Sequence, residues 1–467
     1  MNALHENRSL SLQRRFVWSP ALRTVILAVV LAGCDLDDVL NVEDPEVATP
    51  GSVQTPTALP VVFNGVIRDF TYAYSGTGDI GGGGNNDSQI VLTGLLTDEL
   101  WHTGTFPTRR LIDRRAITTT GANGTTDNGT LSDALRNLHR ARRAAEGADA
   151  LYVDAEQPDD AGRSVVASIA GYTYVLFGEI YCEGVAYSSI LPDGSTEFGA
   201  PTTRSETFGL AAGHFAAAIE IADAAGDEDA RSLALVGLAR TLVNEGDLGG
   251  AADIAAQVPD DFMYEIFHSD NTLGQENGVF IYAFDSGRYG VADRQGDVGL
   301  PFASAGDPRV PVVVAPRDPF DQNLGRDYIA QGKYLDRNAP VVLASGTEAR
   351  LIRAEAALND PAQLLVHLNA ARAQDGVEPL AANDIPADAE GRVDLLFRER
   401  AYSMWLTAHR LGDARRLIRQ YGRSEAETFP SGPYFREGLT HGTDVNFPLH
   451  VDENNNPNFT GCLNRDA

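Results

Sequence analysis

The sequence predicts a mainly α protein: stacked helix pairs forming a superhelix, with a loop-rich capping region containing a few short strands. Two observations carry that reading. Apolar residues recur at helical spacing through about residues 131–257 and again through about 346–421, and Gly-Asp punctuation divides the segments. Between them, from Pro259 to Ser345, short β-branched and aromatic runs alternate with Gly, Asp and Pro, the texture of irregular structure. Of the 467 residues 43% are hydrophobic, enough for a packed core.

At the N-terminus, Val25 to Ala32 form an apolar run that ends in Gly33-Cys34 and follows Arg14, Arg15 and Arg23. Such a run is too short for a hydrocarbon core of ~30 Å, which needs about 20 apolar residues. A basic start, a short apolar centre and small residues before a cut describe a secretory signal. The cysteine after Leu-Ala-Gly resembles the lipobox of bacterial lipoproteins, in which the Cys34 thiol carries lipid. Residues 1–33 are then a signal peptide, 34–60 an acidic, Pro-rich tether, and 61–467 a single domain. An ordinary signal peptide with an incidental cysteine is the other reading.

Loss of residues 1–33 removes four arginines and one glutamate, leaving 33 basic against 64 acidic side chains, a net charge of −31. No continuous basic face can neutralise phosphates, so nucleic acid is excluded as a partner. With Cys34 lipidated, Cys182 and Cys462 remain, and in an exported protein an even pair is expected to form a disulfide. Two buried free thiols are the alternative.

Along the chain, Val62, Val66 and Phe70 open a helix over 61–71, which ends in an aromatic patch of Phe70, Tyr72 and Tyr74. The following Gly76–Gly81 matches G-x-G-x-x-G, but a Gly/Asn run follows instead of a helix, so a loop is expected rather than a nucleotide site. Order resumes over 89–101 with Leu92, Leu95, Leu96, Leu100 and Trp101, then a loop from Thr103 to Pro107. A second loop, 122–130, precedes helices through Leu131–Tyr152, through Val166–Ile180, and over 205–224 with Ser205 as its cap. Segments 229–245 and 248–257 are split by Glu245-Gly246-Asp247. These alternating helices resemble tetratricopeptide pairs, which need stacked neighbours to bury their faces. The middle stretch offers strands at Val279–Phe284, Val310–Val314 and Lys333–Leu335. Helices return at 346–358, 361–374 and about 391–421, leaving 258–345 and 422–467 as the irregular capping part.

Several of these residues together resemble one family. Thr347-Glu348-Ala349 through Ala354-Glu355-Ala356, Leu368-Asn369-Ala370-Ala371-Arg372, Arg398-Glu399-Arg400 through Ala408-His409-Arg410, Asp413-Ala414-Arg415-Arg416, Gly306-Asp307-Pro308-Arg309 and the closing Asn446-Phe447-Pro448 are similar, in order, to blocks of the SusD/RagB-like outer-membrane lipoproteins. Ala408 stands where the family has Gly, and Leu411-Gly412 where it has an aromatic pair. The resemblance implies a TPR-like (SusD-like) fold, a place on the cell-surface side of the outer membrane, and a SusC-like TonB-dependent transporter as partner. It implies capture of an oligosaccharide or a peptide, with no covalent chemistry. By that resemblance the aromatic after Asp98-Glu99 is a ligand contact, which makes Trp101 the first candidate. Phe106 and Arg109 share its loop, and Tyr72 and Tyr74 flank the Gly-rich loop.

Read without the family, residues 391–421 look like scaffold, with Leu396, Met404, Ala408 and Leu411 on one helical face and Glu399 and the arginines in ion pairs. The dispersed histidines form no H-E-x-x-H, there is no G-x-S-x-G elbow, and no ligand spacing suggests metal, so neither enzyme nor cofactor is expected. The runner-up function is a periplasm-facing TPR-like scaffold lipoprotein that binds proteins, and a secreted hydrolase is the third. Protease added to intact cells separates the first two, because only a surface protein is cut.

Overall fold

A computed structural model describes residues 55–78, 87–191, 193–315, 317–325, 327–436 and 438–467. Cys34, the signal peptide, the tether up to residue 54 and most of the Gly-rich loop lie outside them.

The first helix, α1 (Leu59–Tyr74), begins with Pro60 in its first turn, where a missing N–H costs nothing. Residues 59 and 60, read from sequence as tether, are therefore already helical. Next come α2 (Gln89–Leu96), β1 (Leu100–His102) and α3 (Pro107–Asp113). The long α4 (Gly129–Asp154) is capped by Asn128, which accepts from the Thr130 and Leu131 amides at 3.1 and 3.4 Å. Its neighbour α5 (Ala161–Ile180) is buried along nearly every face from Ser164 onward, as befits a helix clasped on all sides.

After two small hairpins, β2 (Val185–Ala186) with β5 (Pro201–Thr202) and β3 (Ser189–Ile190) with β4 (Thr196–Glu197), the stack continues. It runs through α6 (Arg204–Ala225), α7 (Glu228–Glu245) and α8 (Leu248–Ala255). The cap of α6 is Thr203 in a capping box with Glu206, not Ser205. Ser205 instead donates to Glu245 Oε2 at 2.5 Å. The Glu245-Gly246-Asp247 break works as the sequence predicts: Gly246 takes φ 83°, open to glycine, and Asp247 caps α8. Helix α9 (Gly346–Ala356) packs on α8 and α7, then α10 (Pro361–Gln374) and α11 (Ala389–Ser403) complete the row. This consecutive antiparallel packing is the TPR-like superhelix.

The capping part holds β6 (Met263–Ile266), β7 (Tyr289–Val291), β8 (Val312–Val314), β9 (Ile329–Gln331) and β10 (Val341–Ser345). They form two-stranded antiparallel pairs: β1 with β7, β6 with β10, and β8 with β9. Two expected strands are absent. Residues 278–285 are helical, because Asn277 accepts from the Phe280 amide at 3.0 Å and is itself anchored to the Ala339 carbonyl at 2.8 Å. Local β propensity yields to that cap. Lys333–Leu335 is irregular: Lys333 and Tyr334 turn their side chains onto another segment, while Leu335 is exposed.

That segment is a turn within the stretch from 391 to 421. The helix expected over 391–421 is broken: α11 stops at Ser403 and α12 (Arg410–Tyr421) starts afresh. In the intervening turn Leu406 and Ala408 take φ of 54° and 62°. Carbonyls freed by the break find outside donors: Lys333 Nζ reaches Trp405 O at 2.6 Å, Tyr334 Oη reaches Leu406 O at 3.0 Å, and Tyr74 Oη reaches Thr407 O at 3.0 Å. These outside partners for the freed carbonyls are what allow the helix to end there.

Ion pairs lock the helices together, and they are buried. Glu179 of α5 takes two bonds from the Arg240 guanidinium and one from Asn244 Nδ2 at 2.7 Å. His409 Nε2 lies 2.9 Å from Arg240 Nη1 and 3.1 Å from Glu348 Oε1. Arg400 grips Asp413 at 2.8 and 2.9 Å, Arg416 bridges Asp413 and Glu355, and Arg309 and Arg372 share Glu399 at 2.7 Å each. Arg415 donates to the carbonyls of Gly178, Glu179 and Tyr181, closing the C-terminal end of α5. Cys182, just beyond α5, is joined to Cys462, with Cα atoms 5.8 Å apart.

Candidate functional site

The site begins with two buried acids. Asp98 accepts both Arg410 nitrogens at 2.7 and 2.9 Å and the Leu300 amide at 2.8 Å. Glu99 accepts the Leu406 amide at 3.0 Å, and burial pushes its carboxyl up to about 8. With both ends held, the chain enters β1 in register, and Trp101 falls opposite Gly290 of β7. A Cβ at Gly290 would lie 2.6 Å from the indole Nε1, so only glycine leaves room for the ring. The indole stands edge-on to Phe435, centroids 5.0 Å apart, and is 4% exposed. Beside it opens a cavity of about 310 Å³ lined by Trp101, Val291, Asp293, Ser304, Asp327 and Ile329.

Past β1 the chain turns outward. Thr103 is tied on three sides: its amide to Arg288 O at 2.9 Å, its hydroxyl to Gly287 O at 2.7 Å, and its carbonyl to the Asp321 amide at 2.9 Å. The Phe320 amide also bonds Gly287 O, at 2.8 Å. Arg436 bridges Asp321 Oδ2 and Gly104 O at 3.0 Å each. Four irregular segments, at 103–106, 287–288, 320–321 and 434–436, are thereby stitched into one face.

On that face Phe106 and Phe320 are each 43% exposed. The Arg288 guanidinium lies over both, 4.5 Å from the Phe106 centroid and 4.2 Å from that of Phe320. Burial and then the nearby Arg109 hold Arg288 below the ordinary arginine range. Arg317 joins Phe320 and Gln322 around an adjoining cavity of about 540 Å³.

Beneath lies a layer that fixes the face. Arg109 is 6% exposed and pairs with Asp87 through Nε at 2.7 Å and Nη2 at 2.6 Å, while Tyr289 donates to the same carboxylate. His102 is buried with neither ring nitrogen hydrogen-bonded, and burial, then Arg109 and Arg436, hold its pKa well below normal. It is a neutral spacer under the loop. Asp113 accepts Tyr434 Oη at 2.5 Å, the His102 amide at 2.9 Å and Gln295 Nε2 at 2.8 Å, and burial still raises it to about 6.

Of the residues named from sequence, Trp101 and Phe106 come together here, and Arg109 supports them from beneath in its ion pair. Tyr72 and Tyr74 belong elsewhere. Tyr74 is fully buried in the core, its hydroxyl on the carbonyls of Val342 and Thr407, and the Tyr72 ring stacks under Arg140 at 5.0 Å. Phe320, Phe435 and Arg288 were missed. Their only signals were aromatics beside Pro319 and Tyr434 in segments that have no period.

Elsewhere, a groove of about 1080 Å³ runs between α1 and β6, lined by Phe63, Ile67, Met263, Tyr264 and Phe267, the last 74% exposed. Among the described residues no group of three or more His, Cys, Asp or Glu is arranged to hold a metal.

Neither a protein-family model nor a curated protein sequence matches the chain. Solved structures do. A laminarin-binding SusD-like protein is 13% identical with a TM-score of 0.61, over 86% of this chain and 98% of its own. A SusD-like protein from Bacteroides fragilis is 12% identical with a TM-score of 0.60, over 90% of this chain and 98% of its own. A SusD-like carbohydrate-binding protein from the same species is 12% identical with a TM-score of 0.57, over 87% and 99%. The mainly α, TPR-like architecture of this chain is the SusD-like fold.

Proposed function

We propose that this chain, built on the SusD-like fold, is a non-catalytic glycan-capturing lipoprotein of the outer membrane that passes its ligand to a TonB-dependent barrel. The observation that carries the reading is the stitched face: exposed Phe106 and Phe320, the edge of Trp101 and an acid-lined cavity beside it, all on a support of buried hydrogen bonds. Aromatic faces take the apolar faces of sugar rings, and planar polar groups take their hydroxyls. The similar structures described as laminarin-binding and carbohydrate-binding support a saccharide over a peptide. Lipid on Cys34 would keep the protein at the membrane. The apolar groove between α1 and β6 offers a protein partner a separate surface.

The test is a glycan panel on the purified protein, run with Phe106→Ala and Phe320→Ala. At least one oligosaccharide should bind, and each variant should weaken it about tenfold, about 1.4 kcal/mol, with an unchanged melt. Binding that ignores both substitutions would move the site elsewhere. Purification of the tagged lipoprotein from outer membrane should bring a barrel in near-equal amount; its absence would count against delivery.

A further inference from the structure

In this chain of formal charge −28 at pH 7, most buried arginines have a carboxylate: Arg109 has Asp87, Arg240 has Glu179, Arg309 has Glu399, Arg410 has Asp98, and Arg416 has Glu355 and Asp413. Arg288 departs from that habit. No carboxylate of the described residues lies within ion-pair distance of it. Its Nε and Nη1 are buried without a hydrogen-bond partner. Instead the guanidinium is clasped by two half-exposed phenyl rings. Desolvated donors without acceptors are costly in a fold. Arg392 and Arg415 also lack a carboxylate but donate to backbone carbonyls, and Arg419 Nη1 is likewise buried without a partner; Arg288 differs from all three in lying on two half-exposed rings. Arg317, which lines the cavity by Phe320, donates only to the Asp285 backbone carbonyl among the described residues.

We propose that this face takes an acidic oligosaccharide, one bearing sugar carboxylates, with Arg288 as the carboxylate clasp; the inference rests on the glycan-binding reading above. A planar guanidinium offers paired N–H groups that match the two oxygens of a carboxylate. The adjoining cavity at Trp101 carries Asp293 and Asp327, acceptors suited to sugar hydroxyls and repulsive to a second anion. The two halves of the face thus divide one ligand: hydroxyls toward Trp101, a carboxylate toward Arg288. Of the acids on the Arg288 side, Asp321 is taken by Arg436, and Asp318 shares its cavity lining with a second arginine, Arg317.

Calorimetric titration of the purified protein with oligogalacturonate, its methyl ester, a neutral β-glucan oligosaccharide and oligoglutamate tests this. The free acid should bind at least tenfold tighter than its ester, and its affinity should fall with salt. Arg288→Gln should lose that tenfold preference with an unchanged melt, and Arg288→Lys should recover only part of it. Equal binding of acid and ester, or an Arg288→Gln variant that keeps the preference, overturns the proposal. Preferred binding of the neutral glucan overturns it too, while leaving the glycan reading standing. Preference for oligoglutamate transfers the clasp to acidic peptides and overturns the saccharide assignment. If none of the four binds, the clasp falls; the wider panel then decides the glycan reading on its own.

Discussion

The helical stack and the capping face use the same side chain in opposite ways. In the stack, arginine is mortar: Arg240, Arg400 and Arg416 are buried against Glu179, Asp413 and Glu355, with guanidinium nitrogens bonded to carboxylate oxygens. On the face, Arg288 lies between Phe106 and Phe320 with buried nitrogens that bond to nothing described. The contrast teaches how to tell scaffold from site in a chain full of charge. An arginine locked against carboxylates is fixed as scaffold even where one nitrogen, such as Arg400 Nη1, stays unpartnered, whereas Arg288 is held on half-exposed aromatic rings at the surface.

The sharpest way to break the comparison is Arg240→Met. If the stack depends on its pairs, Glu179 is left buried and unpaired, and removal of one partner costs about 3–5 kcal/mol. Chemical denaturation should show it, and a loss below about 1 kcal/mol would mean that the pair is ornament. On the face side, Gly290→Ala forces a methyl against the Trp101 indole, and overpacking of this kind costs about 1–3 kcal/mol. Tryptophan emission should shift and glycan affinity fall, while the Glu179–Arg240 network stays intact.

Glu99 sharpens the picture through pH. Burial raises its folded pKa to about 8 from 4.5. Between those values the folded chain holds the proton and the unfolded chain has released it, so stability falls as pH rises through this window. The slope should be about 1 kcal/mol per pH unit between pH 6.5 and 8, and Glu99→Gln should flatten it. Above pH 8 the buried Lys333 amine, pushed down to about 8, gives a slope of the opposite sign. The smallest effect is a gain. Ala408 holds a φ of 62°, a conformation that costs a side chain about 1–2 kcal/mol. Ala408→Gly should stabilise by up to about 1 kcal/mol once glycine's own entropy is subtracted, visible as a raised melting temperature.

Ala408 also shows what sequence can and cannot reveal. The resemblance marks it as a departure from glycine, and the structure places it at a positive φ, where glycine fits best. What the period alone suggested, one helix across 391–421, fails, because apolar spacing cannot register that Lys333, Tyr334 and Tyr74 wait to receive the freed carbonyls. The helix pairs were legible because burial on one side repeats every turn. The resemblance at Asp98-Glu99 pointed to Trp101, and the structure puts its ring beside a cavity. Phe320, Phe435 and Arg288 were not legible, since loops leave no periodic trace and only Thr103, Gly287 and Arg436 bring them together. Tyr74 misled for a related reason: an aromatic beside a glycine run looks exposed until the C-terminal turn of its helix is seen buried, with Phe70, Ala73 and Tyr74 in the core.

The link between Cys182 and Cys462 spans 280 residues and turns most of the chain into a covalent hoop. A single cut anywhere in the hoop opens it without releasing a fragment. On an oxidised gel such a nicked protein keeps its mass, and only a thiol reductant lets the pieces part. Any test that asks whether protease reaches this protein on living cells must therefore be run reduced; otherwise a cut protein and an untouched one give the same band.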